Sequence, residues 1–308
     1  MTTSYRHGLL DPHPLAAAEH ANSVWLGPHT LGVEVTEPHL ASRCGLGNID
    51  PQHRAGGGAA AAIETAVAWP LPPPDACLVT IRPDADAFGS MAVLGLRAAD
   101  SPIGPAMQAR IALIARSDCF DHGAWPGRRD LPESADSINE IGPGVQDLGA
   151  LITGLSDRTV TVDAGVAAAA AWIIAGTVPA VWHQQAVGAG RTLFMAWQDG
   201  RVRLTDVSPG RIAVVEGCVP GGLRLGYRLA PVVVAIDKNP RGNPPAPWRR
   251  IAIAQWRVGH VDLIRAAALL RASEPGWGGS PGIIGSPQGR PCRSALAEVL
   301  DVLRACGA

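Results

Sequence analysis

The sequence predicts an α/β protein, with a parallel-sheet domain over residues 1–188 followed by a smaller α/β domain over 189–308. Three observations predict it. Short continuous apolar runs such as "ACLVTI" at 76–81 suit strands buried on both faces. These runs alternate with stretches of helical spacing such as "FGSMAVLGLRAA" at 88–99. After 188–191 the pattern changes to closely spaced apolar runs with turn residues between them, which places a domain boundary there.

Taken in order, "TLGVEV" at 30–35 is a strand, and "GLGNIDPQHRAGGG" at 45–58 is a glycine-rich loop. "AAAAIETAVAW" at 59–69 is a helix closed by "PLPPPD". The 76–81 strand leads into the 88–99 helix, and "ARIALIA" at 109–115 reads as a second buried strand. The stretch 128–155 is more polar and reads as helix with loops, and 163–178 is an alanine-rich helix. In the second half, "TLFMAWQDGRVRLTDV" at 192–207 reads as a hairpin around Asp199-Gly200. Strands are expected in "IAVVEG" (212–217), "RLGYRLAPVVVAID" (224–237) and "RRIAIAQW" (249–256). A helix over 260–273, a glycine loop over 276–289 and a last helix over 293–306 complete the chain.

The 308 residues carry a formal net charge of -1, which gives no electrostatic support for a nucleic-acid partner or an anionic membrane surface. No apolar run is long and clean enough to span a bilayer. The start shows no basic segment followed by an apolar one, so the expectation is a cytoplasmic protein. The six cysteines include no C-x-x-C pair, which argues against a zinc ribbon or a redox dithiol.

The stretch with most chemical content is "TIRPDADAFGS" at 80–90. Asp84 and Asp86 follow a buried strand, at the end where ligands of open parallel sheets bind. Two carboxylates this close repel unless something positive stands between them, and a divalent metal is the usual solution. The plainer alternative is a helix N-cap with a solvated neighbour.

"VTIRPDADAFGSMAVLGL" resembles the first motif of the DHH phosphoesterases, His-x-Asp-x-Asp-(Gly/Ala)-x-Gly-Ser followed by a helix. The C-terminal half resembles their companion DHHA1 domain, with "IAIAQW", then "VDLIRAAALL", then the glycine loop "GWGGSPGIIG". The resemblance implies a hydrolase of a phosphoester or phosphoanhydride with a small, nucleotide-like substrate. It also implies a dinuclear metal centre, manganese first, with iron or zinc as substitutes. Asp84 and Asp86 take the positions of the motif's aspartates. Asp118, Asp121 and His122 in "SDCFDHGAW" are candidates to complete the ligand set, as are Asp50 and His53 in "NIDPQH". The glycine loop, through Gly278, Gly279, Ser280 and Ser286 with Arg290 just beyond, is expected to hold the substrate over the metal site.

The departures are as informative. The motif's histidine is Arg82 here, the Asp-His-His triplet survives at most as Asp121-His122, and the family's Gly-Gly-Gly-His loop reads Gly278-Gly279-Ser280-Pro281. Arg82 can replace part of a metal's charge and clamp a phosphate, and His122 can protonate a leaving group. The missing histidines also allow a degenerate member that binds a nucleotide or another anion without catalysis. The same D-x-D resembles haloacid-dehalogenase-type phosphatases, but the only lysine, Lys238, lies far downstream. "GGSPG" fits the nucleophile-elbow spacing, yet Pro281 has no N–H to give an oxyanion hole.

Overall fold

In the computed structural model, the residues described are 5–12, 16–51, 61–81, 84–118, 146–155, 159–217, 222–238, 249–287 and 291–307. The chain is α/β and divides into two units, one of residues up to 118 together with 147–185, the other running from 186 to the C-terminal end.

The first unit is built on a four-stranded, all-parallel sheet of order β1-β4-β2-β3. The strands are β1 (Arg6–Leu9), β2 (Thr30–Val33), β3 (Asn48–Ile49) and β4 (Cys77–Thr80). Every residue of β2 and β4 is buried, as the continuous apolar runs require. Helix α1 (Ala16–Ser23) follows β1, α2 (Pro38–Ala41) follows β2, and α3 (Ala62–Ala68) lies between β3 and β4. Helix α4 (Ala85–Ala98) leaves β4 with all residues from Ala85 to Leu94 buried. A helix apolar all round belongs inside, and α4 is covered by α3, by α5 (Pro105–Asp118) and by α7 (Val162–Ala175), with α6 (Gln146–Leu155) between the last two in the chain.

Two arginines bind helix ends in this unit. Arg97 donates to the carbonyls of Ala66 and Trp69 at the end of α3, at 2.9 and 2.6 Å. Arg110 donates to those of Ile173 and Ile174 at the end of α7, at 3.0 and 2.9 Å. Each places a cation where the last turn exposes unsatisfied carbonyls. The approach of α7 to α4 depends on Gly165, where an added Cβ would lie 2.5 Å from the buried Phe88 ring. Gly165→Ala is expected to lower stability by about 2 kcal/mol, measurable by guanidinium denaturation, although alanine is the better helix former.

The second unit holds a mixed six-stranded sheet of order β5-β6-β7-β8-β10-β9. Its strands are β5 (Arg203–Ser208), β6 (Ile212–Gly217), β7 (Val232–Asp237), β8 (Arg250–Gln255), β9 (Gly278–Gly279) and β10 (Ile283–Gly285). Only the β6–β7 pair is parallel, and the short helix α9 (Gly222–Gly226) lies between them in the chain. Alternation sorts the side chains. Val214, Val234 and Ile253 pack with Leu270 of α10 (Leu263–Ser273) and Leu303 of α11 (Leu296–Ala305). Val215, Val233 and Ala254 pack with Tyr227 and with Leu193 of α8 (Ala180–Gln198).

Three expectations are corrected. Residues 109–115 are helix, not strand: Pro105 opens α5, and Ile111, Ile114 and Ala115 bury one helical face. Residues 192–198 are the end of α8, so the hairpin is β5–β6, turning after Ser208 instead of at Asp199-Gly200. The 276–289 stretch is not a plain loop, because Gly278 and Gly279 pair with Gly285 and Ile284 as β9 and β10.

Candidate functional site

In a parallel sheet all strands end at one edge. Here that edge is formed by Leu9, Val33, Ile49 and Thr80. Acidic residues follow three neighbouring strands: Glu34 after β2, Asp50 after β3, and Asp84 and Asp86 after β4. Glu34, Asp50 and Asp86 are buried, at 5%, 5% and 1% exposure.

Asp84 is the N-cap of α4. Its backbone is extended (φ -129°, ψ 177°) and its Oδ1 accepts from the N–H of Ala87 at 2.9 Å. Asp86 turns inward. Its Oδ2 accepts from the N–H of Ala62 and its Oδ1 from that of Ile63, both at 2.8 Å, so one carboxylate holds the first turn of α3. A negative charge at a helix N-terminus is favourable, and burial strengthens both bonds. The Asp86 carbonyl in turn accepts from the Ser90 hydroxyl at 2.7 Å. The D-x-D pair therefore positions two helices at the sheet edge, one aspartate for each.

Glu34 was not among the residues singled out from sequence, because "TLGVEV" reads as strand throughout. The strand stops at Val33, and Glu34 has φ 53°, in the left-handed region. Asn48 holds that bend. Its side-chain amide accepts from the Val35 N–H at 3.2 Å and donates to the Val35 carbonyl at 3.0 Å. The Glu34 N–H bonds the Ile49 carbonyl at 2.9 Å. Gly32 is required beside this clamp, since a Cβ there would lie 2.5 Å from Asn48 Oδ1. The "GLGNID" stretch thus builds a shaped strand end, and Asp50 follows directly from it.

Asp118 ends a helix instead of following a strand. His53, Arg82, Asp121, His122 and Arg290 lie outside the described residues. Among the described residues no three His, Cys, Asp or Glu side chains stand close enough to hold a metal ion. The described acids, with Asp86 committed to two amides, do not by themselves fit the dinuclear centre that the family resemblance implies.

The glycine stretch lies in the second unit, and its polar groups build a hairpin. The Ser280 N–H donates to the Ile283 carbonyl at 2.8 Å. Ser286 exchanges two bonds with Ile251, through its N–H at 2.8 Å and its Oγ at 3.0 Å. Both serines are buried. Gly279, at φ 145°, could not carry a side chain, because its Cβ would meet the Ile283 carbonyl oxygen at 2.2 Å. Gln255 ties the turn to the sheet by donating to the carbonyls of Pro281 at 2.6 Å and Val261 at 3.0 Å.

The cysteines present in the described residues, Cys44, Cys77, Cys292 and Cys306, are buried free thiols. Burial, with the Cys77 thiol beside it, pushes Cys44 up to about 11, which keeps it protonated and unreactive.

No protein-family model matches the chain, and no curated protein matches it by sequence.

Proposed function

We propose that the chain is a hydrolase of a phosphoester or phosphoanhydride with a nucleotide-like substrate, built on a DHH-like scaffold, and that its working face is the carboxyl edge of the first sheet. The observation that carries this reading is the placing of acids after three adjacent parallel strands, one of them, Glu34, held at φ 53°. Such backbone costs about 1–3 kcal/mol and persists where the surroundings impose it, which is typical of functional strand ends. Asp84 and Asp86 set the strand-to-helix turns. Glu34 and Asp50 are assigned to the reaction, orienting water and the leaving group. No three of the described His, Cys, Asp or Glu side chains form a metal cluster, so none of these roles is routed through a metal ion.

The test is turnover of bis(p-nitrophenyl) phosphate and of nucleotides by the purified full chain, with and without added Mn²⁺. Asp50→Asn and Glu34→Gln are each expected to lower kcat at least about 100-fold, with the circular dichroism spectrum unchanged. Full activity in both variants contradicts the assignment. A second reading, a degenerate protein that binds a nucleotide without turnover, is favoured by one observation: Asp86 spends both oxygens on Ala62 and Ile63. Binding of AMP with no hydrolysis under any metal condition supports that reading over the first.

A further inference from the structure

The bend that ends β2 is made by three residues, Gly32, Glu34 and Asn48. Gly32 and Asn48 are partners in the β2–β3 register. In a straight strand Val35 would lie three residues, about 10 Å, beyond Gly32. Instead Glu34, at φ 53°, turns the chain back, and the Val35 backbone meets the Asn48 side chain. Asn48 Oδ1 accepts from the Val35 N–H at 3.2 Å, and Nδ2 donates to the Val35 carbonyl at 3.0 Å. The arrangement closes only over glycine, because a Cβ on Gly32 would lie 2.5 Å from Asn48 Oδ1 and 3.1 Å from Cys44 Sγ. A glycine would also adopt φ 53° more cheaply, yet the chain places its glycine at 32 and a buried carboxylate at the strained position. Asn48 reaches Asp50 through Ile49 alone. Ile49 is itself fixed, with its side chain fully buried and its carbonyl accepting from the Glu34 N–H at 2.9 Å.

We propose that Asn48 is a positioning residue for the reaction, acting through Glu34 and Asp50 and not on the substrate. Its one amide holds Glu34 by way of Val35, and its place in β3 sets Asp50 by way of Ile49. The inference rests on the functional reading above, which assigns both acids to the reaction. A clamp of the same chemistry elsewhere in the unit supplies the comparison. Asn22 exchanges the same two bonds with the backbone of Asp11, both at 2.8 Å. Asp11 follows β1, and β1 and β3 are the opposite edge strands of the sheet.

The experiment is steady-state turnover of bis(p-nitrophenyl) phosphate by the full chain, held below the Tm of each variant. Asn48→Ala is expected to lower kcat about 10- to 100-fold with KM near the parent's, the effect of a misplaced reacting group. Asn22→Ala is expected to lower Tm to a similar extent and to leave kcat unchanged. Asn48→Asp keeps the shape of the side chain. Its carboxylate repels the Val35 carbonyl when ionised and donates to it when protonated. Its kcat relative to the parent is therefore expected to be low at neutral pH and to recover as the pH falls toward about 4. Parent-like kcat in Asn48→Ala, an equal loss in Asn22→Ala, or a pH-independent ratio for Asn48→Asp overturns the proposal. A parent chain with no turnover overturns the functional reading, and the positioning role falls with it. An active parent matched by its Asn48 variants overturns this inference alone.

Discussion

Asp86→Ala is expected to lower the stability of the first unit by about 3–5 kcal/mol, the loss typical of removing a buried, hydrogen-bonded charge. Asp86 is 1% exposed and is the acceptor for the Ala62 and Ile63 N–H groups. With the carboxylate gone, two donors at the start of α3 are buried without it, and the helix loses the charge that opposes its dipole. α3 is only seven residues long, too short to hold itself by propagation. It packs on α4, where Gly89 admits Ile63 at a distance of 2.7 Å from an added Cβ, so the loss spreads into the core. In thermal denaturation this corresponds to about 10 °C. Asp84→Ala provides the contrast. It removes one cap bond, to Ala87, and is expected to cost about 1 kcal/mol. If Asp84 and Asp86 served only as a ligand pair, the two variants would lose stability to a similar and small extent.

The second large effect lies at the other end of the chain. Glu274, just past α10, is buried, and its Oε1 accepts from the Arg293 N–H at 2.9 Å. Its Oε2 accepts from the Ser294 hydroxyl at 2.8 Å, the Ser294 N–H at 3.1 Å, Trp277 Nε1 at 3.3 Å and the Cys292 thiol at 3.4 Å. One carboxylate thus binds the 291–294 segment and the indole of Trp277, the most deeply buried tryptophan among the described residues, to the end of a helix. Burial pushes its pKa up, but the Arg293 amide, the Ser294 hydroxyl and amide, and the Cys292 thiol outweigh it. The net result is a carboxyl lowered from 4.5 to about 2. The folded state therefore favours the ionised form, and the contribution is complete above about pH 4.5. It is lost as the pH falls from there toward 2, and amounts to about 3 kcal/mol. Glu274→Gln is expected to be less stable than the parent by that amount at neutral pH and to converge with it near pH 2. Denaturant titrations across this range test it, and parallel curves for the two proteins would contradict it.

These two clasps show what could be read from sequence and what could not. The positions of β4, β6 and β8 follow from apolar runs bounded by turn residues, and α4 from its spacing behind Asp84. The same logic failed at 109–115 and 192–198, where a short apolar run fits a buried strand and a buried helix equally well. Pro105 was the available signal for the first, because it starts a helix that contains the whole run. That Asp84 and Asp86 stand at the carboxyl end of a parallel strand was legible. That Asp86 faces amides 24 and 23 residues upstream was not, because nothing local to "DADAFGS" records a contact of that range. Glu34 was hidden for a related reason. Its bend is imposed by Asn48, on the neighbouring strand. The glycines of 278–285 were read as donors for an anion, whereas their pairing closes a hairpin on β8.

The central claim is that the carboxyl edge of the first sheet is where a phosphate-bearing ligand acts. Amide chemical-shift mapping of the full chain with AMP tests it directly. The account predicts that the largest shifts fall on Glu34, Asp50 and Ile81 at the strand ends. Shifts confined to the amino ends of the same strands, at Arg6, Thr30 and Cys77, or to the second unit alone, would contradict it.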